Sequence, residues 1–269
     1  MKKTHYRTLW LSDIHLGNRD CKAEYLLSFL NSVTVDTLYL VGDIVDMWQM
    51  TKQFRWPKAH NQVMHKFMQM SQSGTRVVYL PGNHDEPIQS YSGMAFGDIE
   101  IERELVHTTA QGKRYLVLHG DQFDGDVTMG KFHAWIGDKG YDLLLFLNRE
   151  FNRLRAWRKR EYWSLAGYIK KHIKGANEAI ARYREACCRR ADEMGLDGVV
   201  CGHIHHPESS FESSFENGIH YINDGDWIEN CSALSEDVNG NLSLIHYLDS
   251  LESATVTPIT TKTSRSEAA

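Results

Sequence analysis

The chain has 269 residues, of which 42% are hydrophobic, and its formal net charge is -5 at pH 7. This length suffices for one sizeable core, or for a core with a small inserted domain. The sequence shows neither an apolar signal segment nor a run of about 18 apolar residues, which argues against a membrane-spanning protein. Five cysteines without CxxC spacing are typical of a reducing compartment, so we expect a cytoplasmic protein.

The first 120 residues alternate predicted strands with predicted helices. Runs of apolar β-forming residues predict strands at 7–11, 37–41, 76–80 and 115–118. Apolar residues at helical spacing predict helices at 22–33 and 61–70. Further strands are predicted at 198–201, 218–223 and 242–248. This alternation is typical of a sheet with largely parallel strands and crossover helices.

The stretch from 126 to 190 interrupts the alternation and is predicted to be a helical insertion. Residues 149–190 contain 13 Lys and Arg against 4 Glu. One interpretation is a pair of solvated helices. The other is a surface for an anionic substrate or membrane, which adds the expectation of a peripheral association with the inner face of the membrane. The remaining chain divides into a core at 1–125 and 191–250 and a disordered tail at 251–269.

Side chains of metal-binding type follow the ends of five predicted strands. They are Asp13, His15, Asp43, Asn83, His119, His203 and His205. In open α/β sheets the site lies beyond the carboxyl ends of the strands, so these side chains are expected to converge. The sequence therefore predicts one metal centre built from five loops.

The mixture of Asp, Asn and His suits catalytic divalent ions with open positions better than a structural zinc. In a two-metal site the ions lie roughly 3.5–4 Å apart and bracket the attacking and leaving oxygens of a phosphoryl displacement, so one carboxylate must bridge them. We predict that Asp43 is the bridge, because Gly42 leaves room for close backbone approach. The expected ligand sets are Asp13, His15 and His205 for one ion, and Asn83, His119 and His203 for the other.

The motifs DxH, GDxxD, GNHD, HGD and GHxH occur in this order and resemble those of the calcineurin-like metallophosphoesterases. The resemblance implies an α/β (α+β) fold, in which two mixed β-sheets pack as a sandwich flanked by helices. It also implies two divalent metal ions, for which Mn is our first expectation and Fe, Zn or Ni the alternatives. By the same resemblance, His84 stabilises the transition state or protonates the leaving oxygen, and Asp85 orients His84 through a hydrogen bond.

Within this family, the chain length and the position of the insertion resemble the UDP-2,3-diacylglucosamine diphosphatase branch. That resemblance implies cleavage of a pyrophosphate in a nucleotide-linked lipid, with the insertion as a lid over the acyl chains. The branch carries Arg where this chain has His84, so a broader phosphodiesterase or phosphomonoesterase acting on a nucleotide or phospholipid-like ester stays open. A third alternative is an inactive metal-bound scaffold, against which the complete ligand set and His84 argue. Nucleic acid is not an expected partner.

Overall fold

The computed structural model describes residues 3–125, 147, 150–155, 157–158 and 174–249. The predicted tail and most of the predicted insertion lie outside these residues. The helices are α1 (Ala23–Ser32), α2 (Met47–Lys52), α3 (Lys58–Gln72) and α4 (Lys174–Glu193), with short 3₁₀ helices at Glu86–Tyr91 and Asp121–Phe123. No helix within the described ranges is long and apolar enough to cross a membrane.

The strands form two mixed sheets. The first contains β1 (Thr4–Leu11), β2 (Val33–Val41), β3 (Arg76–Leu80), β4 (Ala95–Phe96), β5 (Ile99–Ile101), β11 (Ser232–Glu236) and β12 (Leu242–His246). The second contains β6 (Glu104–Thr108), β7 (Arg114–Leu118), β8 (Gly198–Cys201), β9 (Glu208–Glu212) and β10 (Ile219–Asn223). Their spatial orders are β12-β11-β1-β2-β3-β5-β4 and β6-β7-β8-β10-β9.

The central strands of both sheets are parallel. In the first sheet, β1, β2, β3 and β5 run in the same direction, as do β7, β8 and β10 in the second. Parallel strands are covered on both faces, which explains why they appear as continuous apolar runs in the sequence. The carboxyl ends of β1, β2, β3, β7 and β8 lead into the loops that carry the five motifs.

The two sheets pack face to face through an apolar layer. Trp10, Tyr39 and Val78 of the first sheet cluster there with Val117 and Ile222 of the second. Burying a large apolar side chain contributes about 1.5–3 kcal/mol. This layer therefore supplies much of the free energy that fixes one sheet, and its loops, against the other.

Helices cover the outer faces of the two sheets. On the first sheet, α1 buries Leu26 and Phe29, and α3 buries Val63 and Phe67. These are the positions whose helical spacing predicted the two helices. Helix α4 covers the second sheet, and the predicted sandwich of two mixed sheets flanked by helices is confirmed.

Most of helix α4 lies in the range 126–190 that was predicted to be the insertion, yet it packs on the core. Its Tyr183, Cys187 and Cys188 are buried in one cluster with Leu116 and Val199 of the second sheet. We therefore propose that the inserted segment ends before α4, and that the core resumes earlier than residue 191.

Candidate metal centre

Six of the seven predicted ligands form two close groups at the carboxyl ends of the strands. Asp13, His15 and His205 make up the first ligand group, and Asp43, His119 and His203 make up the second. Within each group the ligand atoms lie within 4.8 Å of one another. The loops of both sheets thus deliver their polar side chains to one place.

In the first ligand group, one carboxylate oxygen and two imidazole nitrogens face each other. Asp13 Oδ1 lies 3.1 Å from His205 Nε2 and 3.8 Å from His15 Nε2. The two imidazole nitrogens are 3.3 Å apart. One oxygen and two nitrogens at this spacing form the donor set of a divalent metal ion.

Asp43, a member of the second ligand group, also faces the first. Its Oδ1 is 3.4 Å from His119 Nε2 in the second group. Its Oδ2 is 3.7 Å from His15 Nε2 in the first group. The two oxygens of one buried carboxylate therefore face two different sets of imidazoles.

Asn83, the seventh predicted ligand, follows β3. Its Oδ1 is buried and has no hydrogen-bond partner among the described residues. The next residue, His84, donates its backbone N–H to Asp43 Oδ1 at 2.9 Å, which connects this loop to the carboxylate between the groups. An unpaired buried acceptor costs about 1–3 kcal/mol, and coordination of a cation would remove that cost.

The backbone of the centre is strained at the ligands themselves. Five non-glycine residues of the centre have φ between 50° and 70°: Asp13, His15, Asp43, His203 and His205. Cys231, with φ of 48°, is the other non-glycine residue with positive φ in the described ranges. The left-handed region costs an L-residue roughly 1–2 kcal/mol. Such strain concentrates at functional sites, where the surrounding structure holds it in place.

His119 is fixed in one orientation by the backbone of β2. Its Nδ1 lies 2.9 Å from the carbonyl oxygen of Val41, and because a carbonyl only accepts, Nδ1 carries the proton. The opposite nitrogen, Nε2, is buried without a hydrogen-bond partner in the described part of the chain. Gly42, with φ of 82°, permits this approach, since a Cβ there would overlap the His119 ring.

His203 is held in a similar way by a carboxylate. Its Nε2 lies 2.7 Å from Asp124 Oδ1, and its backbone N–H donates to Asp13 Oδ2 at 2.9 Å. When one imidazole nitrogen donates to a carboxylate, the other is left as the metal-binding atom. Asp124, which the sequence analysis did not single out, thus supports the second ligand group.

Opposite charges outweigh burial at two histidines of the centre, His15 and His119. Burial disfavours the charged imidazole of His15, but Asp13, Asp46 and Asp43 hold its pKa well above the ordinary value. Asp43 likewise raises the pKa of buried His119. Carboxylates that attract positive charge this strongly suit divalent cations, which displace protons from imidazole when they bind.

The residues present fit the divalent metal ions that the motifs imply. Two buried atoms, His119 Nε2 and Asn83 Oδ1, lack a hydrogen-bond partner in the described ranges, and both are ordinary metal ligands. The donor set mixes nitrogens with hard oxygens, which suits Mn, Fe, Zn or Ni. The binding of ions by the seven residues stays a prediction.

His84 lies beside the two groups and is held by Asp46. Its Nδ1 is 2.9 Å from Asp46 Oδ1, whereas its Nε2 is 3.9 Å from Asp43 Oδ2. The Trp48 ring packs against the imidazole with 4.4 Å between the ring centroids. The side chain of His84 keeps 26% of its surface exposed, so it can reach a substrate.

The prediction that Asp85 orients His84 through a hydrogen bond is wrong. The buried Asp85 carboxylate accepts from the backbone N–H groups of Gly82 at 2.5 Å and Ile44 at 2.8 Å, and from the Tyr79 hydroxyl. Asp85 therefore joins the loops after β2 and β3. The orienting residue is Asp46, whose signal was present in the sequence as the second acid of GDxxD.

Comparisons with known proteins agree with this geometry. A family model described as calcineurin-like phosphoesterase matches residues 6–207. The chain is similar to the UDP-2,3-diacylglucosamine hydrolase of Photorhabdus laumondii, with 29% identity over 117 residues that span 42% of this chain and 48%, about half, of that protein. It is 25% identical to the hydrolase of the same name from Xanthomonas campestris over 244 residues, which cover 87% of this chain and 96% of that protein.

Among solved structures, the chain is similar to Yfce, a phosphoesterase from E. coli. The identity is 12% and the TM-score 0.41, over 89% of this chain and 98% of that chain. The family model itself spans well over half of the sequence and includes all seven predicted ligands. The chain therefore belongs to the calcineurin-like phosphoesterase family and is a metal-dependent phosphoester hydrolase.

Proposed function

We propose that the chain is a binuclear hydrolase that cleaves a phosphate or pyrophosphate ester. One ion binds Asp13, His15 and His205, the other binds Asn83, His119 and His203, and Asp43 is shared. The observation that carries the proposal is the position of Asp43, whose Oδ1 and Oδ2 lie 3.4 Å from His119 Nε2 and 3.7 Å from His15 Nε2. A carboxylate that offers one oxygen to each ligand group is suited to bridging two ions.

Mn is the first expectation for both ions, with Fe, Zn or Ni as alternatives, because carboxylates and substrate phosphates are hard ligands. Bound divalent ions supply Lewis acidity at the phosphoryl oxygens and lower the pKa of bound water toward neutrality. The protein supplies rigidity, since the ligands extend from strand ends fixed between two packed sheets. Its buried carboxylates also supply the negative charge that retains the ions.

His84 is the proposed catalytic residue. Asp46 holds its Nδ1 at 2.9 Å, which leaves Nε2 directed toward the side of Asp43. From there His84 can donate a proton to the leaving oxygen or stabilise charge on the phosphoryl group. Asp85 contributes through the backbone, because its carboxylate fixes the loop that carries Asn83 and His84.

The proposed substrate is a nucleotide-linked lipid of the UDP-2,3-diacylglucosamine type, cleaved at its pyrophosphate. Two observations support it: the similar proteins described above are UDP-2,3-diacylglucosamine hydrolases, and apolar and basic residues are interleaved at 141–160 in the sequence. Such a segment can cover acyl chains or lie on an anionic bilayer. The proposal therefore includes a cytoplasmic protein that binds peripherally to the inner face of the membrane.

A broader phosphodiesterase or phosphomonoesterase is the second candidate. The presence of His84 favours this candidate. The diphosphatase branch that this chain resembles carries Arg at that position, and an imidazole held by Asp46 does not extend as far into the site as an Arg side chain would. A site with this residue can act on one phosphoryl group without contacting a second one. The substrate would then be a smaller nucleotide or phospholipid-like ester.

The test compares two substrates on Mn-loaded protein, with Asp43→Ala as the control that removes the shared ligand. UDP-2,3-diacylglucosamine should release UMP and the lipid sugar phosphate, with a higher kcat/KM than bis(p-nitrophenyl) phosphate. A higher kcat/KM on the small diester would support the second candidate instead. Turnover of neither substrate, with metal bound, would favour the inactive scaffold.

A further inference from the structure

We infer that Tyr183 of helix α4 is a positioning residue for the second ligand group, an inference that rests on the proposed binuclear site. Its hydroxyl lies 3.1 Å from the carbonyl oxygen of His119 and 3.2 Å from that of Gly202. His119 is a predicted ligand, and Gly202 precedes the predicted ligand His203. One phenol thus connects two loops that bring imidazoles to the same ion.

The two loops meet at this hydroxyl and at a backbone hydrogen bond, and the end of β10 supports one of them. Gly202 N–H donates to His119 O at 3.1 Å, and the Asn223 side-chain amide donates to Gly202 O at 2.6 Å. The Tyr183 hydroxyl has one hydrogen, which it shares between the two carbonyls in a three-centre hydrogen bond. Because a carbonyl has two lone pairs, it can accept both bonds, and the loops become fixed relative to each other.

The local backbone accommodates the hydroxyl. Gly120, between His119 and the rest of the HGD motif, has φ of 109°, and a Cβ there would overlap the Tyr183 Oη. Tyr183 itself is 2% exposed and packs with Cys187 and Cys201 in the second-sheet core. Its ring centroid lies 5.9 Å from that of His203. The phenol is therefore held rigidly from behind while it contacts the metal-site loops.

The first ligand group depends less on these contacts. Two of its members, Asp13 and His15, follow β1 on the first sheet, and only His205 follows β8. In the second group, His119 and His203 both lie on the loops that Tyr183 joins. Removal of the hydroxyl should therefore weaken the second ion more than the first. Residues that orient metal ligands typically change metal affinity by about 10–100-fold when substituted.

The test is Tyr183→Phe, which removes the hydroxyl and keeps the ring. The matched control is Tyr247→Phe. The Tyr247 hydroxyl lies 2.9 Å from Ser28 Oγ, away from the site. Metal-free proteins would be titrated with Mn²⁺ by calorimetry, and electron paramagnetic resonance would distinguish paired from single ions. Thermal unfolding would compare the stability lost by the two variants.

Tyr183→Phe should bind the second ion roughly tenfold more weakly and the first ion with a smaller loss, with single-ion spectra at concentrations where the wild type shows paired ions. Turnover should recover at high Mn²⁺. The hydroxyl is expected to affect the Mn²⁺ concentration needed for activity more than the kcat of the fully loaded enzyme. Tyr247→Phe should lose comparable stability with both affinities unchanged. If the wild type binds two ions and Tyr183→Phe binds both with unchanged affinity, the inference about Tyr183 is overturned and the proposed function is not. Absence of paired ions in the wild type would overturn the proposed function and this inference together.

Discussion

His84 Nδ1 lies 2.9 Å from Asp46 Oδ1, and the same carboxylate reaches the first ligand group through Oδ2, which is 3.4 Å from His15 Nδ1. Asp46 also caps helix α2, since its Oδ1 accepts the backbone N–H of Gln49 at 2.9 Å. One side chain therefore couples the candidate catalytic histidine to a candidate metal ligand, His15, and to the start of a helix. The placement of His84 depends on Asp46 more than on its neighbour in sequence, Asp85.

His84→Ala should lower kcat while both ions remain bound. General acid or electrostatic assistance by one side chain is typically worth about 10²–10⁴-fold. Steady-state kinetics and metal analysis of the same preparation check this. Loss of an ion from His84→Ala would mean that His84 is itself a ligand.

Asp46→Asn should lower kcat through His84. The amide oxygen keeps the acceptor that caps α2, and the variant removes the charge beside His84. Because the Asn18 side-chain amide donates to the other Asp46 oxygen, the stability of the variant is measured alongside kcat. Residues that act through one another are non-additive, so Asp46→Asn should cost much less in a His84→Ala background. Asp36→Asn, at a carboxylate with 65% exposure beside His5, is the control and should leave kcat unchanged. Fully additive losses would show that Asp46 acts independently of His84.

Glu236→Gln should destabilise the protein at neutral pH and less so in acid. Burial raises the pKa of this carboxyl, but Thr8, the Ala110 N–H, Arg7 and His107 outweigh burial and lower it. A lowered pKa contributes stability above the ordinary pKa of Glu, and this stability is lost as the pH falls through the folded-state value. At pH 7 the loss should be about 2–3 kcal/mol, as for charged hydrogen bonds.

Urea unfolding of wild type and Glu236→Gln between pH 3 and 7 would measure this difference. The gap between the two proteins should narrow as the pH falls toward and below about 4, where free Glu titrates. A gap independent of pH would show that the charge of Glu236 is not what stabilises the fold.

The full chain should sediment with anionic vesicles at low salt and less at high salt. The Debye length falls from about 10 Å at 0.1 M to about 3 Å at 1 M, so an electrostatic attachment weakens. A triple variant with Arg158→Gln, Lys159→Gln and Arg160→Gln should bind less, whereas Arg19→Gln, Lys66→Gln and Lys113→Gln together should not differ from the wild type. Equal vesicle binding by both variants would show that residues 158–160 do not contribute to membrane association.

The motif loops were predictable from sequence because each ligand follows a continuous apolar run. A buried parallel strand and the polar residue at its end are local features, as Leu9 to Asp13 illustrate. The partner of His84 was not predictable in this way. Asp85 is adjacent in the chain, yet its carboxylate turns back to the loop after β2, and only the packing of β2 beside β3 brings Asp46 to His84.

Strands β9 and β11, which are antiparallel to their neighbours, were missed for a different reason. β9 has the sequence Glu-Ser-Ser-Phe-Glu and β11 ends in buried Glu236, so neither shows an apolar run. Hydrogen bonds from Arg7 and Thr8 to Glu236 compensate for burial of that charge. A strand stabilised by such distant partners carries no local signal.

The binuclear centre is tested most directly by anomalous diffraction from crystals of the Mn-loaded protein, with Asp43→Ala crystals as the control. Two peaks should appear roughly 3.5–4 Å apart, one beside Asp13, His15 and His205, the other beside Asn83, His119 and His203, with Asp43 between them. Asp43→Ala should lose at least one of the two. A single peak in the fully loaded wild type, or two undiminished peaks in Asp43→Ala, would contradict the shared carboxylate on which the proposed function rests.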